Sequence, residues 1–255
     1  MRLFIFLSFF ILNTSLAEVG KVLKVVGSTD AYLVRDQNKI SLTVDQILEL
    51  GDEIFSENSM PVIHLYPGTQ LSLAKNSQIK LIEHMIEENA EAVKKSSSVI
   101  DFIRGILRAS ITREEGEEVD QKFQARGVAF GVRGTEFEVS EEGEDEIDLD
   151  VFEGSVEVSS PDVHTFVPEI VKANEGFKFS RKQRKFARRK FSPKFKNHPG
   201  FENKKQLRQQ WKEMRKQRRV DKGVDKQARA ERKSEKKSER QNRKNNKEKK
   251  GSRDK

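Results

Sequence analysis

Residues 127–158 read GVAFGVRGTEFEVSEEGEDEIDLDVFEGSVEV. Apolar and polar side chains alternate along this stretch, and glycines interrupt it. Period two is the spacing of a strand with one buried face, because successive side chains leave a pleated backbone on opposite sides. Phe137 and Val139 are followed, across an acidic turn, by Ile147, Leu149 and Val151, then by Val156 and Val158. This spacing predicts an antiparallel meander with its apolar side chains inward and its glutamates in water. The fold class that follows is all-β, made of short antiparallel strands.

The pattern extends outward in both directions. From Val19, the residues Val22, Lys24 and Val26 alternate with Leu23 and Val25 as far as Gly27. Tyr32-Leu33-Val34 and Ile40-Ser41-Leu42 flank a polar run at 35–39, which predicts a hairpin. Gly51-Asp52-Glu53-Ile54-Phe55, residues 61–65, the turn Pro67-Gly68-Thr69 and Leu71-Ser72-Leu73 continue the series. Residues 83–98, EHMIEENAEAVKKSSS, interrupt it. Met85, Ile86 and Val93 are too sparse there to line a core, so the segment reads as a loop inserted between strands. Strand character returns at 100–109, and a second charged loop at 112–121 leads to Phe123. Ile170-Val171 and Glu175-Gly176 close the domain near Phe177.

Val132-Arg133-Gly134-Thr135-Glu136-Phe137, followed by Phe152-Glu153-Gly154-Ser155-Val156, resembles the FecR domain. Members of that family carry an Arg-Gly-Thr strand and a later Glu-Gly-x-Val strand. Gly20, Val22, Val25 and Gly27 are similar to the family's opening, and Gly51, Asp52 and Ile54 to its Gly-Asp strand. Gly68 and Thr69 are similar to its Gly-Thr turn, and the stretch 102–109 to its Gly-x-x-Arg strand. Pro67 stands where the family commonly has Asp. The resemblance spans about residues 19–180 and implies one β domain at 19–177, a sandwich or jelly-roll, with a solenoid-like stack as the alternative. It also implies that Arg133, Gly134, Thr135, Phe137, Glu153, Gly154, Gly51, Asp52, Gly68 and Thr69 are mainly structural.

Arg133 is the member of this set with two readings. An arginine on a mostly apolar strand is costly to bury unpaired, so it needs a carboxylate or several carbonyls. Glu153 on the neighbouring strand is the expected partner through a bidentate contact. The alternative turns the guanidinium outward to an external carboxylate or phosphate. Gly134 and Thr135 have strand-bend chemistry, which favours the structural role.

Catalytic patterns are missing from the sequence. His64, His84, His164 and His198 are scattered and lie in neither an H-E-x-x-H nor an H-x-x-E-H frame. His64, between Ile63 and Leu65, is expected to face solvent or to satisfy a local hydrogen bond. No serine sits in a G-x-S-x-G elbow, and no glycine-rich loop opens a helix. Glu141, Glu142, Glu144, Asp145 and Glu146 lack the spacing of a calcium loop and read as a solvated hairpin tip. We expect no enzyme, no cofactor and no metal centre.

The two ends carry the remaining signals. Residues 1–17, MRLFIFLSFFILNTSLA, place one basic residue before an apolar run and small residues at Ser15-Leu16-Ala17. That is the pattern of a cleaved secretory signal, too short to span a membrane. The expectation is an exported chain, in the periplasm or outside the cell, that does not span the membrane. With no cysteine in the chain, there are no disulfides and no thiolate ligands.

Charge is divided sharply. Residues 178–255 hold 33 Lys and Arg against 9 Asp and Glu, a net +24, while residues 1–177 carry −16. Such an asymmetry marks a folded domain joined to an interaction tail. In the tail, Phe177, Phe179, Phe186, Phe191 and Phe195 alternate with Arg181, Lys182, Arg184, Lys185, Arg188, Arg189 and Lys190. These basic residues are the candidate polyanion contacts, because clustered cations attract any polyanion in a salt-dependent way. Leu207, Trp211 and Met214 form one thin helical stripe, and from about Lys233 the composition is that of a disordered segment. The expected partners are an envelope protein or an anionic polymer such as lipopolysaccharide, anionic lipid or cell-wall polymer. Nucleic acid is disfavoured by export. Two alternatives stay open for the tail: a merely solubilising role, and attraction to the acidic domain of the same chain.

For function, the resemblance implies the fold and a binding or scaffold role. Family members that transmit iron signals place an anti-sigma segment and a membrane helix before the domain, where this chain has a signal sequence. A component of an envelope signalling system, working with a separate membrane regulator, is the alternative.

Overall fold

The computed structural model describes residues 18–88, 93–113, 117–142, 145–160, 167–183, 185–195 and 198–201, with Gln209 and Glu213. The proposed signal sequence and nearly all of the tail beyond Phe201 lie outside these residues. So do the expected helical stripe and disordered end, although Gln209 and Glu213 are themselves helical.

The strands are β1 (Glu18–Gly27), β2 (Tyr32–Arg35), β3 (Asn38–Ser41), β4 (Ile47–Glu49), β5 (Glu53–Phe55), β6 (Ser59–Leu65), β7 (Thr69–Leu73), β8 (Gln78–Glu88) and β9 (Val93–Arg104). They continue as β10 (Ile106–Ile111), β11 (Glu118–Ala125), β12 (Val128–Val132), β13 (Glu136–Glu142), β14 (Glu146–Glu153), β15 (Ser155–Ser159), β16 (Glu169–Lys172), β17 (Glu175–Ser180) and β18 (Lys185–Lys190). One sheet has the order β18-β17-β14-β13-β10-β7-β6-β1-β4, and the other β16-β15-β12-β11-β9-β8-β5-β2-β3. The chain passes back and forth between them, so both sheets grow in nearly the same order along the sequence. The protein is all-β, with two open sheets of mainly antiparallel pairs; β9 and β11 run parallel.

The meander at 127–158 forms as its alternation requires. Phe137 and Val139 of β13 and Ile147, Leu149 and Val151 of β14 face the core from the first sheet. Phe123, Phe130, Val156 and Val158 face it from the second. Phe123 and Phe137 meet edge to face across the layers at 4.9 Å, the geometry that aromatic quadrupoles favour. The hairpin expected at 35–39 is a two-residue turn, with Asp36 and Gln37 both at positive φ.

Two expectations about organisation are corrected. Residues 83–98 are not an inserted loop: β8 runs on to Glu88, and β9 begins at Val93. The strand rhythm is hidden because polar side chains take the inward positions. Ser96 and Ser98 are buried in step with Ile100 and Phe102, and His84 Nδ1 lies 2.8 Å from Ser98 Oγ. The domain also does not end at Phe177. β17 pairs with β14, β18 pairs with β17, and His198, Pro199 and Phe201 are buried beyond them. No described helix is long and apolar enough to cross a membrane.

Candidate functional site

The alternation that turns Phe137 inward turns its neighbours outward. Glu136 and Glu138 of β13, Asp148, Asp150 and Phe152 of β14, and Arg108 of β10 therefore share the outer face of the first sheet. Such a face normally meets water, yet Glu136, Glu138, Asp148 and Asp150 are only 3, 1, 4 and 1% exposed. Four carboxylates on two adjacent strands need cations or donors if they are covered. Residues 189–201, leaving β18, supply both.

Arg189 donates from Nη1 and Nη2 to Asp150 at 3.1 and 2.6 Å, and from Nε to Asp148 at 3.3 Å. Burial works against its charge, but the bonds and charges of Asp150 and Asp148 outweigh it and raise its proton affinity. The Ser192 amide donates to Asp150 at 2.8 Å, and the Lys194 amide to Glu138 at 2.7 Å. Lys194 Nζ lies 3.1 Å from Asp148. At the far end, Gln70 Nε2 donates to the Gly200 carbonyl at 2.9 Å. Residues 189–195 and 198–201 thus form a strap, with Arg189, Ser192 and Lys194 paired to the acidic face and Gly200 held by Gln70.

His198 of the strap is buried against the sheet, with Nδ1 3.3 Å from Ser72 Oγ and Nε2 3.3 Å from Glu138 Oε2. The second contact has ion-pair distance without hydrogen-bond geometry. Burial lowers the imidazole pKa, Glu138 opposes the shift, and Arg108 adds to it. The ring is therefore held neutral in the fold, whereas the unfolded chain takes up a proton below about pH 6.5. Stability contributed here is complete above that pH and is lost as pH falls from it toward the lowered folded value. We predict that thermal stability drops between pH 7.5 and 5, with a smaller drop in His198→Asn; equal slopes in the two proteins would contradict this.

Beside the strap, the Arg108 guanidinium lies 3.7 Å from the Phe152 ring centroid and 5.0 Å from that of Phe201. Its Nε donates to Glu136 Oε1 at 3.1 Å, and Nη2 pairs with the same oxygen. Phe152 meets Phe191 edge to face at 5.0 Å. Arg108, Phe152, Phe191, Ser192 and Pro193 line a surface cleft of about 360 Å³.

The sequence-derived residues have other places. Arg133 is exposed in the bend between β12 and β13, so the argument from its burial does not apply. Glu153 is also exposed and stands opposite Glu136 in the ladder. The two family motifs do meet at one corner. Thr135 Oγ1 donates to the Ser155 carbonyl at 2.8 Å, and Gly134 and Gly154 have φ of +67° and +78°. A Cβ on Gly154 would stand 2.8 Å from the Gly134 carbonyl oxygen, so glycine is required there for conformation and for space. Phe137 is in the core, Thr69 is buried in β7, and the Gly68 carbonyl accepts from the Thr112 amide at 2.9 Å. Gly51, at φ +91°, leads into Asp52, which is fully buried and gripped by Arg35. His64 is buried on the outer face rather than turned to solvent.

Of the basic set, Arg181, Lys182, Lys185 and Lys190 are exposed, and Arg184 lies outside the described residues. Arg188 pairs with Glu169 and Glu175, and Arg189 is committed to Asp148 and Asp150, so these two already hold carboxylates of their own chain. Sequence reasoning kept attraction to the acidic domain of the same chain as an alternative, but did not place the strap or its partners. The signal was present: four acids at outward positions of two paired strands, followed by a run rich in Arg and Lys. Among the described residues no cluster of three or more His, Cys, Asp or Glu is placed to hold a metal ion.

Residues 52–157 match the family model described as FecR protein. The match covers the centre of the resemblance and is narrower than the span 19–180. Two solved structures of a candidate anti-sigma factor from Parabacteroides distasonis, at 1.65 and 2.50 Å resolution, are similar to the chain at 16% identity, with TM-scores of 0.44 and 0.42. Each similarity covers 55% of this chain and 60% of the other, so the chain spans less than two thirds of those proteins. No curated protein matches the chain.

Proposed function

Taking the FecR domain at residues 52–157 as the premise, we propose that this chain is a non-enzymatic binding or scaffold module of the bacterial envelope. In this reading the distal basic tail contacts an anionic envelope polymer or an acidic partner. The FecR match supports a regulatory module related to signal transduction. The observation that carries the proposal is the division of the basic extension. Residues 189–201 neutralise the domain's own acidic face, whereas residues 204–255 hold 23 Lys and Arg against 8 Asp and Glu. Residues 1–203 keep a net −7, so the +15 of residues 204–255 is about twice what the domain itself can balance. Arg181, Lys182 and Lys185, exposed at the β17–β18 turn, add to the same attraction.

The compact unit containing the β domain ends at Asn203. A chain ending there keeps the strap, whereas one cut near Phe177 loses β18 and the strap together. We expect full-length protein to be retained on anionic liposomes or lipopolysaccharide, with retention falling as salt rises, and the chain ending at Asn203 to elute early. Salt-independent retention, or equal retention of both chains, would remove the tail from the proposal. The second reading, a signalling component acting with a membrane regulator, rests on the FecR match alone and would show as co-purification of that regulator with the β domain.

A further inference from the structure

Arg108 is 7% exposed, and two of its three guanidinium nitrogens are taken by Glu136. Among the described residues Nη1 donates no hydrogen bond, although it belongs to the group that lines the cleft beside the strap. We propose that this cleft is a binding site for an aromatic ring joined to an uncharged hydrogen-bond acceptor, that is, an aromatic amide.

Three features of the cleft select that chemistry. The first is aromatic: Phe152 and Phe191 stand perpendicular, at 86°, and both are only half-buried. Their exposed faces and edges offer a third ring the edge-to-face contacts that aromatic groups favour. The second is polar: Nη1 opens on the cleft while the rest of the guanidinium is covered, so an acceptor seated there meets a charge-assisted donor. The third is charge. Glu136 already matches the Arg108 charge, and Glu138, Asp148 and Asp150 share the same face. Because these charges are already paired within the chain, an incoming anion or cation finds no free counter-charge, so a neutral carbonyl is preferred to either. The volume, about 360 Å³, is at the small end of ligand pockets and suits one ring with its amide.

The site is built across two parts of the chain. Arg108 and Phe152 come from β10 and β14, whereas Phe191, Ser192 and Pro193 come from the strap. Occupancy therefore requires the strap to be seated, and a bound ligand stabilises that state by mass action. The chemistry is shared by a free aromatic amide and by a Phe or Tyr residue within a partner polypeptide. It goes beyond the polyanion reading and uses none of the tail's charge.

The test is a titration of the full-length protein by NMR amide shifts with N-acetylphenylalaninamide, benzamide and phenylacetate. We expect saturable shifts at residues 152, 191 and 192 with the two amides. Phenylacetate, and either amide on Phe191→Ala, should bind at least about fivefold more weakly. Benzamide matching N-acetylphenylalaninamide identifies a free ligand as the source; tighter binding of the latter identifies a polypeptide. Arg108→Lys, which keeps the charge but not the planar fork, should weaken amide binding while leaving the Phe152–Phe191 ring shifts in place. No saturable shifts at millimolar probe, undiminished binding by Phe191→Ala at unchanged melting temperature, or preference for phenylacetate would each overturn the assignment.

Discussion

Asp150→Ala should release the strap and cost about 2 to 3 kcal/mol of folding stability, a fall in melting temperature on the order of 8 °C. Asp150 is 1% exposed and accepts three hydrogen bonds, two from Arg189 and one from the Ser192 amide. Removing it strands a guanidinium and a backbone donor at once. The full cost of breaking a buried pair, about 3 to 5 kcal/mol, is not expected, because Arg189 keeps Asp148 at 3.3 Å and is partly open to water. Double substitution with Arg189→Ala should recover part of the loss, since the stranded charge then disappears. Glu157→Ala, on the exposed face of β15, should stay within about 0.5 kcal/mol of the parent. Thermal unfolding of the four proteins measures this, and an Asp150→Ala protein as stable as Glu157→Ala would mean that the strap contributes nothing.

Asp52→Ala should destabilise by about 3 kcal/mol. Its carboxylate is fully buried and receives Arg35 Nε and Nη2, each at 2.7 Å, and the Glu49 amide at 2.9 Å. The pair ties β2 to the turn between β4 and β5, and that turn also bonds to Leu81 of β8. Arg35 retains Glu49 at 2.6 Å and the Ile47 carbonyl at 3.0 Å, so its charge is only partly stranded. Asp52→Asn preserves shape and loses the charge, and should cost roughly half as much. Chemical denaturation distinguishes these values. Wild-type stability in Asp52→Ala would show that the Gly-Asp motif is not an architectural clamp.

How much of this was legible depends on where polar residues sit. Wherever Val, Ile, Leu and Phe filled the inward positions, as along β13 and β14, alternation gave the strands and their facing. At β8 and β9 the inward positions hold His84, Ser96 and Ser98, and a pattern based on apolar side chains passes over them. Arg133 misled for a related reason. Its neighbours suggested a buried strand, but the chain bends at that point and carries it to the surface. Among the described residues the buried arginine is Arg108, whose burial arises from Glu136, Phe152 and Phe201, all distant in sequence. The strap posed the hardest problem. Read locally, Arg189 and Lys194 are two more cations of a basic tail; only the register of β13 against β14, which aligns Glu138 with Asp150, reveals the face they cover.

Hydrogen exchange at the Ser192 and Lys194 amides tests most directly whether the start of the basic extension is an integral part of the β domain. Both amides donate to buried carboxylates, Asp150 and Glu138. They should exchange at least about a hundredfold more slowly than the amide of Lys182 in the exposed β17–β18 turn, and should lose that protection in Asp150→Ala. Exchange of Ser192 and Lys194 as fast as that of Lys182 in the intact protein would contradict the account and return the whole extension to solvent.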